Sequence, residues 1–201
     1  MIDVLQNKRA LTRADIIPTA DYAQLRRARR PELVAMKQNR RIPVGPVATF
    51  YFENFATMWW QIQEMLFIEK GGEEQVADEL RAYAPMVPNG SELTATIMFE
   101  IEDPRQRHEL LMKLGGVEDC FQLKIGNDIV KAVPEGDVER TREEDGKASS
   151  VHFVHFPLTR AQIAAIRDPA VAVHAVIDHP EYGHSARLTP AVKAELAKDL
   201  D

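Results

Sequence analysis

Hydrophobic residues follow two different periods along this chain, and the two periods meet at Glu53-Asn54. Val47 to Phe52 is a run of β-branched and aromatic residues that is typical of a buried strand. After Asn54, large apolar residues recur at spacings of three and four, which predicts an amphipathic helix. Asn54 suits the N-cap of that helix, because its side-chain oxygen can accept a hydrogen bond from a free backbone amide. Gly71-Gly72 predicts the end of the helix.

The predicted helix carries apolar residues on both of its sides. Its main stripe consists of Phe55, Met58, Trp59, Ile62, Met65 and Leu66. On the opposite side Trp60 and Phe67 flank Glu64, so the carboxylate is expected to be partly removed from water. Burial would raise the pKa of Glu64 unless a cation lies close, and Arg40 or Arg41 could supply that cation. A structural ion pair, a ligand-binding carboxylate and plain exposure are the three alternatives for Glu64.

Each of the two apolar faces of this helix needs a covering, that is, other residues that pack against it and remove it from water. The body of the protein supplies one covering for the stripe that begins at Phe55. A homodimer, or a tight contact with another protein, is the predicted covering for Trp60 and Phe67. The alternative is that N-terminal helices from Asp21 to Arg40 fold back over this face within one chain.

The rest of the chain predicts an α+β fold with largely antiparallel sheets and an N-terminal helical region. Pro31 should separate two short helices, Asp21 to Arg29 and Pro31 to Arg40. The order β-α-β-β then occurs twice. Accordingly, we predict a basic helical arm over residues 1–45 and an α+β body over 46–201, with possible β-α-β-β units at 92–133 and 150–188. Residues 1–15 should form an exposed arm, and the polar run 134–150 a long hairpin around Asp145-Gly146.

Composition narrows the class of protein. The chain has 201 residues, of which 45% are hydrophobic and 28% charged, as in ordinary globular domains. No stretch approaches the roughly 20 apolar residues of a membrane helix, and the N-terminus lacks the apolar centre of a signal peptide, so a cytoplasmic protein is expected. The single cysteine, Cys120, cannot alone hold zinc or an iron–sulfur cluster, and no cofactor is predicted.

Charge is distributed unevenly. The formal net charge is −6, and residues 1–45 hold ten Lys or Arg against four Asp or Glu. A basic head of this kind could contact nucleic acid, but it contains only one aromatic residue, Tyr22, for base stacking. The sequence therefore argues against nucleic-acid binding and favours arginines that dock on the acidic body.

Residues that could carry chemistry are few. His152 and His155 are three apart in a predicted strand and point to opposite faces. His179, Glu181 and His184 are weak candidates for a metal site, since their Glu-x-x-His spacing requires a helix and Pro180 and Gly183 predict a bend. No metal is therefore expected. The chain has no nucleophile motif, phosphate-binding loop or dinucleotide fingerprint. Candidate ligand-binding residues are Glu53, Asn54, Gln61, Glu64, Arg40 and Arg41.

Four segments together resemble a known bacterial family. They are ELVAMKQNRRIPVGPVATFYFENFATMWWQIQEM, PNGSELTATIMFEI, SSVHFVHFPL and HPEYGHSARL, and as a set they are similar to the family of domain of unknown function 3501. The resemblance implies no established activity. It implies a redox or peroxide-stress setting, because genes of the family often lie beside those for rubrerythrin and an iron–sulfur protein. This chain departs from the family in having Phe55-Ala56 where members often have charged residues.

Two functional hypotheses follow. The leading one is a non-enzymatic accessory protein with rubrerythrin-like or iron–sulfur partners. The alternative is a small-molecule binding protein or enzyme with a site around Glu53, Gln61 and Glu64. A broad apolar surface patch would favour the first hypothesis, and a deep polar pocket beside the helix would favour the second.

Overall fold

The fold was analysed in a computed structural model that describes residues 8–136, 141–142 and 144–201. Parts of the N-terminal arm and of the hairpin predicted for 134–150 lie outside these residues. In the described part of the chain the helices are α1 (Thr19–Gln38), α2 (Phe55–Glu69), α3 (Gly72–Tyr83), α4 (Pro104–Lys113), α5 (Arg160–Arg167) and α6 (Pro190–Leu196). The strands are β1 (Arg41–Val44), β2 (Ala48–Phe52), β3 (Glu92–Phe99), β4 (Phe121–Ile125), β5 (Asp128–Lys131), β6 (Val133–Pro134), β7 (Val151–Pro157), β8 (Val173–His179) and β9 (Tyr182–Arg187).

The strands form two antiparallel sheets. The first sheet has the order β1-β2-β3-β7-β6, and the second has the order β5-β4-β8-β9. Every pairing between these strands is antiparallel. The predicted α+β class with largely antiparallel sheets is therefore confirmed.

The β-α-β-β order occurs twice, as β3-α4-β4-β5 and as β7-α5-β8-β9. The leading strands of the two units, β3 and β7, pair in the first sheet. Their hairpins meet in the second sheet, where β4 pairs with β8 and β5 and β9 form the edges. The strand order is thus symmetric between the two units. Their origin by duplication stays a prediction, as does the division of the chain into an arm and a body.

Two apolar clusters lie on opposite faces of the first sheet. The larger one joins both sheets with side chains of α4, α5 and α6, and Phe50 contacts Phe121 of the second sheet edge to face at 6.0 Å. The smaller one joins α2 with the N-terminal segment, α1 and α3. The first sheet is therefore covered by the second sheet on one face and by helices on the other.

The N-terminal region is one helix where the sequence predicted two. Helix α1 continues through Pro31 to Gln38. Proline removes one backbone hydrogen bond from a helix and strains the preceding turn. The burial of Tyr22 and Met36, which contact the body at the two ends of α1, offsets this unfavourable free energy.

Helix α2 begins as the sequence predicted. Asn54 is its N-cap: its Oδ1 accepts a hydrogen bond from the Thr57 amide at 3.0 Å, and Thr57 Oγ1 accepts one from the Asn54 amide at 2.9 Å. At the other end Lys70, with φ of 57°, adopts the left-handed conformation that was expected of a glycine. Gly72 then opens α3.

Candidate functional site

A pocket of about 460 Å³ lies between helix α2 and the first sheet. Its floor is a row of cross-strand partners, Arg41, Tyr51, Thr96 and Phe153, which crosses β1, β2, β3 and β7 in register. The roof and rim come from the helices, as Met58, Gln61, Tyr83 and Lys37. Of the three residues of the predicted site, Glu53, Gln61 and Glu64, the first two line this pocket and Glu64 does not.

Glu53 is the buried acid of this pocket. It follows β2 directly and is only 8% exposed. Its Oε1 accepts a hydrogen bond of 2.8 Å from the Thr96 hydroxyl. Within the described part of the chain, no Lys, Arg or His forms an ion pair with Glu53. A buried carboxylate is normally paired with a cation, so this one is unusual.

Arg40 holds the backbone that carries Glu53. It is 1% exposed; its Nε donates to the Phe52 carbonyl at 3.0 Å and its Nη2 to the Glu53 carbonyl at 2.9 Å. Its Nη2 also forms an ion pair with the buried carboxylate of Asp199. Burial raises the pKa of Asp199, and the guanidinium of Arg40 opposes that rise. Arg40 is therefore a structural residue, and the prediction that it serves Glu64 is wrong.

Arg41 and Lys37 are the cations at the rim of the pocket. Arg41 is exposed and Lys37 is half-buried. Neither forms an ion pair with a carboxylate in the described ranges. The prediction that Arg41 pairs with Glu64 is wrong, and both cations are free to meet a ligand.

Two phenols line the same pocket. The Tyr51 hydroxyl donates to Glu100 Oε1 at 2.6 Å, and burial together with this carboxylate raises the pKa of Tyr51 to about 12. Burial also raises the pKa of Tyr83, and a hydrogen bond from Gln61 partly offsets the rise. Both phenols consequently stay protonated at neutral pH and can act as hydrogen-bond donors or acceptors.

Glu64 lies outside this pocket and is fully partnered. Arg26 binds it with two bonds, Nε to Oε1 at 2.7 Å and Nη2 to Oε2 at 2.8 Å, and the Tyr22 hydroxyl also donates to Oε1. The bond from Arg26 holds the pKa of Glu64 below its ordinary value. The predicted pairing with an N-terminal arginine is present, but α1 supplies Arg26 in the place of Arg40 or Arg41.

The second aromatic face of α2 is covered by α1. Tyr22, which has no exposed surface, makes edge-to-face contacts with Trp59, Trp60 and Phe67, at centroid distances of 5.9, 5.4 and 6.1 Å. Arg26 stacks over the Phe67 ring at 5.0 Å. Trp60 is only 9% exposed. The alternative covering, within one chain, is the one present, and no dimer is needed to shield this face.

The remaining predicted site residues have structural roles. Asn54 caps α2, although its buried Nδ2 has no hydrogen-bond partner in the described ranges. His179 Nδ1 accepts from the Glu181 amide at 3.2 Å, and His184 packs at 4.5 Å on the Tyr182 ring. Among the described residues, no three or more His, Cys, Asp or Glu side chains are grouped to hold a metal ion.

Cys120 is half-buried beside several carboxylates. Burial, with the charges of Asp119 and Asp178, raises the pKa of its thiol. A thiol with a raised pKa is a poor nucleophile at neutral pH. These surroundings therefore do not activate the Cys120 thiol.

Several large apolar residues are exposed. The large ones in the described chain are Val34, Ile68, Met112, Ile129 and Val133. They lie on α1, α2, α4, β5 and β6 and thus come from five different elements. In the part of the chain that the structure describes, no helix has the length and apolar character needed to span a bilayer.

Comparison with known proteins agrees with the fold and supplies no activity. No curated protein matches the chain. A crystal structure of a novel protein of unknown function from Burkholderia pseudomallei is similar, with 37% sequence identity and a TM-score of 0.86, and the match covers 96% of this chain and all of that one. The family described as "Protein of unknown function (DUF3501)" matches residues 10–200. This chain therefore belongs to the DUF3501 family.

Proposed function

We propose that this protein binds a small molecule in the pocket between α2 and the first sheet. The observation that supports the proposal is Glu53, a carboxylate that is 8% exposed and receives one neutral hydrogen bond, from Thr96. Removing a charge from water without a counter-charge is costly. A ligand that brings an amine to Glu53 would supply the missing cation and would be held by it.

The other lining residues define the rest of the ligand. Met58, Met98 and Phe153 offer apolar surface, and Arg41 and Lys37 at the rim offer positive charge. The pocket volume of about 460 Å³ is in the usual range for small-molecule sites, roughly 300–1,000 Å³. The ligand is therefore an amphipathic zwitterion, with an amine at Glu53, an apolar body and an acidic group at the rim.

Binding is favoured over catalysis. Among the described lining residues there is no thiol, and the phenols of Tyr51 and Tyr83 have raised pKa values and do not supply a base at neutral pH. That leaves the Glu53 carboxylate, which this proposal assigns to the amine of the ligand. A buried acid with fixed donors around it is sufficient for recognition.

The test is a ligand panel measured by thermal shift and then by isothermal titration calorimetry. The panel contains aromatic and aliphatic amino acids, the corresponding amines and the corresponding carboxylates. We expect zwitterions to bind best, and Glu53→Gln to weaken binding by about tenfold or more, equivalent to about 1.4 kcal/mol. Arg41→Gln should weaken the zwitterions and carboxylates but not the amines.

Two exposed residues outside the pocket lining provide matched controls. Glu102→Gln and Arg105→Gln make the same chemical changes outside the lining residues, and each should leave affinity unchanged. Circular dichroism checks that all four variants are folded. If no member of the panel binds, or if Glu53→Gln binds as tightly as the wild type, the proposal is wrong.

An accessory role in a redox or peroxide-stress pathway, with rubrerythrin-like or iron–sulfur partners, is the second proposal and rests on the family resemblance. Affinity capture with the intact chain tests it: recovery of an iron–sulfur protein or a rubrerythrin, lost on competition with untagged chain, would support it. A homodimer is a separate prediction that light scattering tests.

A further inference from the structure

A second pocket, of about 510 Å³, lies where α5, the residues before β8, the end of β9 and α6 come together. It shares no lining residue with the first pocket. Its walls are mainly apolar, with Val171, Leu188 and Ala194 among them. Three cationic side chains, Arg167, Arg187 and Lys193, also line it, and none of its described lining residues carries a carboxylate.

Lys193 is the buried cation of this pocket. It is 8% exposed, and its ammonium donates to two backbone carbonyls, those of Asp168 at 2.7 Å and Val171. An ammonium has three donors, so the carbonyls use two of them. Burial lowers the pKa of Lys193; the charge of Asp168 opposes this, and the guanidinium of Arg187 adds to it. No acid in the described part of the chain forms an ion pair with this lysine.

Arg187 adds a second charge without a counter-ion. It is exposed at the end of β9 and forms no ion pair with a described residue. Its cross-strand partner on β8 is His174, which is paired in turn with Lys124 on β4. Lys124, His174 and Arg187 therefore form a row of basic residues across the second sheet, and the row ends at the pocket. The charge of Asp168 acts on Lys193 and offsets part of this positive charge, but its carboxylate is not among the lining groups, and one acid stands against three cations.

We propose that this pocket binds a small organic anion, namely a carboxylate with a short aliphatic or aromatic group. The acid group meets Arg187 and Lys193, and the hydrocarbon group lies against Val171, Leu188 and Ala194. An excess of positive charge beside an apolar cavity favours such a molecule over a neutral or cationic one, since the anion neutralises the charge while its tail leaves water.

The experiment is calorimetric titration of the intact chain with hexanoate, benzoate, hexanamide and hexylamine. The two carboxylates should bind, and hexanamide should bind at least about tenfold more weakly, because it has the same tail without the charge. Raising the ionic strength should weaken the carboxylates and leave the amide unchanged. Equal affinity for hexanoate and hexanamide, or no carboxylate binding, would overturn the proposal.

Substitutions assign the binding to this pocket. Arg187→Gln removes a charge from an exposed position and should weaken hexanoate by about tenfold. Ala194→Trp should fill the cavity and abolish binding. Arg105→Gln, on α4 and outside both pockets, is the matched arginine control and should have no effect. Lys193 itself is left intact, because its loss would strand two backbone carbonyls.

One further variant separates this site from the first pocket. Arg41→Gln alters the rim of the pocket beside α2 and should leave hexanoate binding unchanged. If Arg41→Gln weakens hexanoate while Arg187→Gln does not, the anion occupies the first pocket and the proposal for the second fails.

Discussion

Two pairs of like residues near α2 have opposite surroundings. Glu64 is bound by Arg26 and Tyr22, whereas Glu53 is more deeply buried and receives only the Thr96 hydroxyl. Arg40 is buried against Asp199, whereas its neighbour Arg41 is exposed and free of ion pairs among the described residues.

The difference separates structural charge from charge available to a ligand. Partnered groups hold α1 and the C-terminal segment onto the body. Glu53 and Arg41, the groups without charged partners, both line the pocket. Buried groups of a folded protein are normally satisfied internally, so an unsatisfied charge that lines a cavity indicates a ligand site. The predictions below test this division.

The largest effect is expected at the adjacent arginines. Arg40→Leu should lower the free energy of unfolding by about 3–5 kcal/mol, because it leaves the buried Asp199 carboxylate without its cation. Arg41→Leu, the matched control at an exposed position, should change it by less than about 0.5 kcal/mol. Urea denaturation measures both. Similar losses of unfolding free energy in the two variants would contradict the separation of structural charge from charge available to a ligand.

The next effect concerns the two acids. Glu64→Gln should cost about 1–3 kcal/mol, since Arg26 loses a charged acceptor in a partly buried contact. Glu53→Gln should cost less than about 1 kcal/mol, because no cation loses a partner and an amide oxygen can still accept from Thr96. Denaturation at neutral pH compares them. A greater loss in Glu53→Gln would show that Glu53 is the structural acid.

Local sequence patterns predicted most elements of the fold. Asn54 was predicted as the N-cap of α2 and is found there, because capping depends on neighbouring residues alone. Asp103 before Pro104 at the start of α4 and Thr189 before Pro190 at the start of α6 are local signals of the same kind. Pro31 misled the prediction for α1, since its local cost is outweighed by the burial of Tyr22, a contact that no local pattern reveals.

The pocket was predicted in part. Glu53 and Gln61 were identified, but Thr96, Phe153 and Tyr83 were missed. Leu93, Ala95 and Ile97 alternate along β3 and share one face, so Thr96 lies on the other face. The sequence therefore indicates the face of Thr96, but not that this face lines a pocket. The partner of Glu64 could not be assigned, because the sequence does not show whether Arg26 or Arg40 lies near it. Only the packing of α1 over α2 brings Arg26 to Glu64.

A smaller effect is the acid dependence of Glu64. Its pKa is lowered in the folded state, chiefly by Arg26. A group with a lowered folded pKa stabilises the protein above its unfolded value, about 4.3 for glutamate, and this stabilisation is lost as pH falls through the folded value. The stability gap between wild type and Glu64→Gln should thus narrow below pH of about 4.3. Urea denaturation from pH 7 to pH 3 measures the gap, and a gap independent of pH would exclude the ion pair as its source.

The smallest effect has the opposite sign and lies at His155, on the same face of β7 as Phe153. Its Nδ1 is 3.0 Å from Glu92 Oε2 and its Nε2 is 2.9 Å from Glu135 Oε2. The hydrogen bond with Glu92 raises the pKa of His155, with a further rise from Glu135, and burial opposes both. His155 is thus a partnered charge on the pocket side of the sheet, in contrast to Glu53.

A raised folded pKa stabilises the protein at low pH. The contribution of His155 is complete below the unfolded value of about 6.5 and is lost as pH rises through the folded value. His155→Gln should therefore reduce stability most below pH of about 6.5 and progressively less above it, which urea denaturation between pH 5 and pH 9 measures. His108→Gln, at an exposed histidine on α4, is the control and should show no such trend. A stability gap for His155→Gln that widens with rising pH would mean that the imidazole is held neutral between the two carboxylates.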